Sequence, residues 1–342
     1  MYDPLEAARL AAALNGEAQA FADLIEPHHR ELLAYCYRLL GSLQDAEDLV
    51  QEVLLRAWLK LKTFEKRGSF RAWLYKIATN ACLNMLARSP RRSLPVATHA
   101  PASAKDPFTP PTSEPIWLEP FPDDLLADAA TGPEAVYSMQ ESVTLAFMVA
   151  LHMLPPHQRA VLILRDVLDW HADEVGELLD LTLPAVNSAL YRARSTLTKH
   201  YHPGGLEGAQ PPPTGVALQK LLDRYVRAWE NANVVELVAL LKEDATFSMP
   251  PLSAWYQGRE AIEAFLASAI FKNATPAYWR LLPTHANSRP AFGLYQFDEA
   301  DGTYRPFGII VLTFAETEIS TTTVFMNASL CAHFALPAEL LL

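Results

Sequence analysis

Two stretches that cannot build a packed core divide this chain and limit it to a string of separately folded segments. Residues 93–137 hold nine prolines and seven acids against one base, Lys105, with no sustained helical or strand period. Proline removes a backbone donor, and an acidic segment of this kind buries too little apolar surface to fold, so it reads as a tethering linker. A second break at 203–215 runs Pro203-Gly204-Gly205 and then Pro211-Pro212-Pro213. Three folded segments remain, roughly 15–92, 138–202 and 216–342, without internal repeats. The 342 residues are 50% hydrophobic, enough for sizeable cores. No apolar run approaches the roughly 18 to 20 residues of a membrane span, and Met1, Asp3 and Glu6 do not begin a signal peptide. A cytoplasmic protein without membrane contact is therefore expected. Cys36, Cys82 and Cys331 fit neither a disulfide framework nor a zinc site, and read as small core residues.

The net charge of −11 conceals strong segregation. From Arg56 to Arg92 ten basic residues face one acid, Glu65, whereas the preceding part is acidic. Ser42, with Asp45 three residues on, predicts a helix start. Ala46, Leu49, Val50, Val53, Leu54, Ala57, Trp58 and Leu61 then recur at the spacing of one helical face. The outer face carries Asp45, Glu47, Asp48 and Glu52 early and Arg56, Lys60 and Lys62 late, an order that complements the helix dipole and also suits a plain solvated face. A loop over Phe64–Phe70 leads to a helix with Arg71, Trp73, Lys76, Asn80, Asn84 and Arg88. Cations for phosphates beside flat rings for unstacked bases are what single-stranded nucleic acid requires, although Trp73 and Ile77 also fit a core.

The second segment predicts helices over Val143–Leu154 and His157–Leu168, separated by Pro155-Pro156. A short helix over Ala172–Leu179, a turn at Asp180-Leu181-Thr182 and a longer helix from Leu183 have the lengths of a helix-turn-helix, although the turn lacks the glycine often found there. In the longer helix the buried side is read as Leu183, Val186, Leu190, Ala193 and Leu197. The other side offers Pro184, Asn187, Ser188, Tyr191, Arg192 and Ser195, with Arg194 and Lys199 on the flank. Such amides, hydroxyls and guanidinium groups read base edges or hold phosphates, and the helix contains no acid.

Four blocks together resemble the extracytoplasmic-function group of the sigma-70 family: Asp45–Trp58 (DAEDLVQEVLLRAW), Phe70–Asn80 (FRAWLYKIATN), Leu154–Arg165 (LPPHQRAVLILR) and Val186–Arg194 (VNSALYRAR). The resemblance implies a promoter-recognition subunit of RNA polymerase with no covalent chemistry and no cofactor. It places polymerase binding at Asp45, Asp48, Gln51 and Glu52, against the clamp helices of the largest core subunit. It assigns capture of the −10 element to Phe64, Arg67, Ser69, Phe70, Arg71, Trp73, Lys76, Asn80, Asn84 and Arg88. Reading of the −35 element falls to Pro184, Asn187, Ser188, Tyr191, Arg192, Arg194 and Lys199. Asn187 stands where many members carry a base, and the linker 93–137 is longer than usual. Around Trp117–Leu125 it suits either an acidic RNA mimic in the polymerase channel or a simple tether.

Residues 216–342 predict helices over Leu218–Ala232, Val234–Leu241 and Gly258–Ile270, then strands over Tyr278–Ala286, Pro290–Phe297, Phe307–Phe314 and Ser320–Asn327. The expected architecture is thus two all-α domains, a helical bundle and a helix-turn-helix, followed by an α+β domain. Through Trp255–Phe265 (WYQGREAIEAF) and its closing strands the last part resembles the SnoaL-like cone fold, which implies regulation in cis by contact with the sigma regions or the linker. Such cones enclose apolar pockets, and Phe247, Met249, Trp255 and Tyr256 are candidate lining residues, with core packing as the ordinary alternative. Asp244, His285 and Asp298 are the only candidates for a catalytic base and lack diagnostic spacing. A SnoaL-type isomerase or cyclase with an attached DNA-binding half is the rival reading. A repressor that never meets polymerase is a third, but it has no need of the acidic face at Asp48. No catalytic or metal residues are assigned.

Overall fold

The structure is a computed structural model that describes residues 4–64, 69–103, 116–126, 140–201 and 215–341. Where the sequence suggests three folded segments, Cα packing gives two compact units. The first comprises residues 1–92, 125–143 and 150–200, and the second residues 93–124, 144–149 and 201–342.

In the first unit α1 (Pro4–Leu14), α2 (Ala18–Leu40), α3 (Leu43–Lys60) and α4 (Phe70–Leu86) form a bundle. The boundaries have local causes. Gly41 ends α2 in the left-handed region at φ 73°, and Ser42 at once caps α3 by accepting the Asp45 N–H at 3.1 Å. Ser69 caps α4 by accepting from Ala72 N–H at 3.0 Å. The bundle core includes Leu32, Tyr35, Cys36, Val53, Leu74, Tyr75 and Cys82, all inaccessible to solvent. Inside it the Tyr35 and Thr79 hydroxyls are bonded at 2.7 Å. All three cysteines are buried and free of disulfides.

The chain continues through α5 (Leu145–His152) and α6 (Pro156–Leu162), and a single π-helical turn over Ile163–Val167 finishes the segment read as one helix to Leu168. The helix-turn-helix follows as α7 (Ala172–Leu179) and α8 (Leu183–His200). Its turn needs no glycine because Asp180 takes the left-handed conformation at φ 54°, which aspartate tolerates better than most residues. The glycine that matters lies earlier: a Cβ on Gly176 would stand 2.9 Å from the Leu181 carbonyl oxygen, so its absence lets the turn close on α7.

The second unit is built on a seven-stranded sheet with main order β2-β1-β6-β5-β4-β3. The strands are β1 (Leu241–Ser248), β2 (Trp255–Gln257), β3 (Trp279–Ala286), β4 (Arg289–Asp298), β5 (Thr303–Ala315) and β6 (Glu318–Phe325), with β7 (Leu340–Leu341) beside β5. Neighbours are antiparallel except β1 and β6. Helices α9 (Val216–Glu230), α10 (Val234–Ala239) and α11 (Arg259–Phe265) share one apolar core with the sheet, built around Tyr225, Trp229, Leu237, Ile262, Phe292 and Ile310. Strands β1 and β2 do not show in the sequence pattern. β1 begins Leu241-Lys242-Glu243-Asp244 and follows α10 with a single residue between them, so the charged run near its start masks the alternation.

No helix among the described residues is long and apolar enough to cross a membrane, and no group of three or more His, Cys, Asp or Glu there could hold a metal ion. Gly308 is sterically obligatory, since a Cβ would run into the Phe325 carbonyl oxygen where β5 passes β6. Gly308→Ala is expected to lower the stability of this sheet by about 2–4 kcal/mol, measured as the loss in denaturant midpoint at unchanged slope.

Candidate nucleic-acid interface

The basic surface is organised by helix α4. Lys76, Asn80, Asn84 and Arg88 recur every four residues, so they form one stripe down the helix and just past its end. Asn80, Asn84 and Arg88 are exposed; Lys76 is half-buried. Trp73 is also half-buried, and its ring is held by Phe64 at 5.4 Å and Phe70 at 5.7 Å between centroids. This corrects the expectation for two aromatics. Phe70 is wholly inaccessible and Phe64 nearly so, because the first turn of α4 turns its ring inward against His28 and the bundle. They support Trp73 and cannot themselves meet a base. Ser69 is engaged as the helix cap, and Arg67 lies outside the described residues.

The protein itself occupies part of the basic face. Lys76 Nζ donates to Asp180 Oδ1 at 2.7 Å and to the Glu177 carbonyl at 3.1 Å, both at the C-terminal end of α7. Arg71 makes a two-pronged pair with Glu31 and lies over the rings of Tyr75 at 5.2 Å and Trp170 at 4.9 Å. Trp170, buried just ahead of α7, packs on Tyr75 with ring centroids 5.0 Å apart. The helix-turn-helix therefore sits on the start of the α4 stripe and leaves Asn80 to Arg88 open. Trp170 carries no signal in the sequence beyond its size, since the contact joins segments some hundred residues apart.

On α3 the acidic set is largely exposed. Asp48, Gln51 and Glu52 face solvent, Glu52 pairs with Arg56 at 2.5 Å, and Asp45 accepts from Arg92 at 2.6 Å. Leu55 and Leu59 continue the same face at 59% and 71% exposure. Sequence reasoning passed them over, although their absence from the buried set of the α3 pattern was a signal. On α8, Pro184, Asn187, Ser188, Tyr191, Arg192 and Lys199 are exposed, and Arg192 donates to Ser188 Oγ at 2.8 Å. Arg194 is anchored through a two-pronged pair with Asp166 at 2.8 and 2.6 Å, which raises its pKa and ties α8 to the π turn. Leu183, read as inward, is half exposed because it opens the helix ahead of the first full turn; Ala189 joins Val186, Leu190 and Ala193 inside instead.

In the second unit two stretches of the linker are packed on the sheet domain, so they are more than a tether. The Trp255 indole N–H donates to the His99 carbonyl at 2.8 Å and the Trp117 indole to the Pro251 carbonyl at 3.1 Å. Asn287 grips Phe121 twice: its main-chain N–H donates to the Phe121 carbonyl at 2.9 Å, and its side-chain oxygen accepts the Phe121 N–H at 3.0 Å. Leu118 and Phe121 are fully buried. These rings offset the ordering of a proline-rich chain, which loses less entropy than most when fixed. Asp123 accepts the Ser288 N–H at 2.8 Å, and burial pushes its pKa up to about 6 despite that bond and the nearby His285 and Arg289.

The candidate pocket residues lie in the core. Phe247, Met249 and Tyr256 belong to the apolar cluster, with Tyr256 stacked on Phe265 at 4.1 Å, and Trp255 is committed to His99. The possible bases do not form a site. Asp244 is exposed beside Lys242, and Asp298 pairs with Arg305. His285 pairs across to Pro290, about 26 Å along β4 from Asp298 at the strand rise of ~3.3 Å per residue.

A bundle that exposes an acidic helix beside a basic one, a helix-turn-helix with an acid-free outer face and an appended α+β domain define a transcription-initiation subunit. Residues 24–92 match sigma-70 region 2, residues 144–197 sigma-70 region 4 and residues 222–321 the SnoaL-like domain. The chain is 41% identical over 324 residues to the ECF RNA polymerase sigma factor SigG of Mycobacterium tuberculosis, covering 94% of this chain and 85% of that protein. It is 30% identical over 224 residues to SigJ of the same organism, covering 65% and 62%. The crystal structure of M. tuberculosis SigJ superposes with a TM-score of 0.57 at 21% identity, covering 92% of this chain and all of that one. The chain belongs to the extracytoplasmic-function RNA polymerase sigma factors and carries a SnoaL-like C-terminal domain; like its relatives it is a transcription factor and not an enzyme.

The raised pKa of Asp123 gives the linker contact a pH dependence of definite sign. The docked form holds the proton more tightly than a free aspartate at 3.8, so docking is strongest below about pH 4 and weakens as pH rises to about 6. Hydrogen-exchange protection of the Phe121 amide should fall over that window and then level off. Asp123→Asn should remove the dependence and hold the linker more firmly at pH 7; unchanged protection from pH 4 to 7 in the parent chain would contradict this account.

Proposed function

We propose that this sigma factor docks on core polymerase through the acidic face of α3, captures the melted −10 element on the α4 stripe and reads the −35 element with α8, acting in the cytoplasm. The exposed stripe Asn80–Asn84–Arg88 beside the half-buried Trp73 carries this reading. Amides for base edges, a cation for phosphate and a ring edge for stacking lie together on one helix. Asp48, Gln51 and Glu52 supply the negative charge that suits the basic clamp helices of the largest polymerase subunit, and Leu55 and Leu59 add apolar area to the same face. Asn187, Ser188, Tyr191 and Arg192 are the group on α8 positioned for the major groove.

Two contacts support control in cis. Lys76 and Arg71 are engaged by α7, Trp170 and Glu31, so this arrangement leaves the start of the stripe unavailable to single strand. The linker is clasped by the SnoaL-like domain at Trp117, Phe121 and Asp123, and a linker so held cannot also enter the polymerase channel. Initiation on this reading requires release of both. The Lys76–Asp180 pair is exposed and contributes only about 0.2–1 kcal/mol, so the larger hold is the packing of Trp170 on Tyr75.

Run-off transcription with purified core polymerase tests the assignment. Asp48→Arg should abolish the transcript through loss of core binding, and Asn80→Ala with Arg88→Ala should weaken open-complex formation at least about tenfold while core binding persists. Asp180→Asn should raise promoter-dependent output by no more than about fivefold, the factor that ~1 kcal/mol allows. A chain ending at Tyr201 that transcribes identically to the full chain defeats control by the SnoaL-like domain, since the contacts of Lys76 and Trp170 lie before the truncation and remain. No promoter-dependent transcript from either form defeats the assignment itself.

A further inference from the structure

The first unit contains a cavity of about 260 Å³ whose basic lining none of these roles uses. Arg91, Arg92, Arg159 and His152 line it, against one carboxylate, Asp45, that Arg92 already engages at 2.6 Å. Leu40 and Met85 supply an apolar part of the wall. Arg159 is only 2% exposed. Its terminal nitrogens donate to neutral acceptors alone: the carbonyls of Leu39, His152 and Leu154 and the His152 ring, the last at 3.2 Å. Its Nε has no partner. Burial, with Arg91 close by, pushes its pKa down to about 9, while burial and Arg159 hold the His152 ring neutral. A buried guanidinium that meets only neutral acceptors among the described residues, has one N–H unpartnered and contributes to the wall of a cavity rimmed by two more arginines is short of an anion.

We propose that this cavity binds the phosphate end of a small phosphorylated molecule, with Arg159 at its floor and Arg91 and Arg92 at its rim. Guanidinium groups suit phosphate because their planar forks hold two oxygens at once. The depth of Arg159 favours a free small ligand over promoter DNA: a duplex backbone can touch exposed Arg91 but cannot reach a side chain this buried. Because α3, the C-terminal end of α4 and α6 all contribute walls, occupancy would brace the polymerase-facing helix against the segment that precedes the helix-turn-helix.

Pyrophosphate titrated calorimetrically into the full chain at constant ionic strength is the direct probe, with the arginine Nε–H resonances followed by NMR in parallel. The expected result is saturable one-to-one binding, a shift of the Arg159 Nε–H signal on saturation, and about tenfold weaker binding in Arg91→Gln with unchanged circular dichroism. Arg159→Lys, which keeps the charge and loses the fork, should weaken it further. Absence of saturation, or binding that leaves the Arg159 signal unmoved, overturns the proposal. A random-sequence duplex serves as the second arm. If it moves the Arg159 signal and competes with pyrophosphate, the cavity is a DNA contact and the small-ligand assignment fails; pyrophosphate binding that the duplex leaves unchanged supports it.

Discussion

Two buried guanidinium groups hold the promoter-reading half of this protein together. Arg38 on α2 donates through Nε and Nη2 to the Ser142 hydroxyl at 3.0 and 2.8 Å, and Arg159 on α6 reaches back to the Leu39 carbonyl at the end of α2. Both are inaccessible or nearly so, and burial lowers their pKa values to about 10 and about 9. Charges taken this far from water are costly unless their donors are used, and here most donors are spent on main-chain carbonyls and a hydroxyl across the junction. These bonds join the bundle and the segments around α6 into a single unit. The placement of Lys76 beside Asp180, and of Trp170 on Tyr75, follows from that union.

The helices were legible because each carries its own instructions. Ser42 and Ser69 are caps that look like caps, and the apolar period from Ala46 to Leu61 needs no partner to be recognised. Exposed polar positions on α4 and α8 followed from the same period. Contacts between segments were not legible. Phe70 reads as a basic-aromatic neighbour of Arg71, and only the packing of α4 on α2 shows that it belongs inside. Leu183 reads as apolar and hence buried, but the first position of a helix has no preceding turn to cover it. The linker misled for another reason. Its composition argues correctly against a core of its own, yet says nothing about Trp117, Leu118 and Phe121 borrowing one from the sheet domain.

The SnoaL-like domain packs the residues that a ligand pocket would need against one another. Phe247, Met249, Tyr256 and Phe265 fill its interior with one another, and Asp244, His285 and Asp298 stand apart, two of them spent on local ion pairs. What the domain does offer is an edge: the β3–β4 turn at Asn287 and Ser288, and the prolines before β2, accept a neighbouring strand of chain.

That edge holds its guest by the spine as well as by its greasy studs. Asn287 forms a two-point bracket with the amide and carbonyl of residue 121, Ser288 offers its own amide to Asp123, and Trp117, Leu118, Pro120, Phe121 and Pro122 are swallowed. Side chains of the stretch that point away from the sheet, such as Glu119 and Asp124, are therefore not what fixes its position.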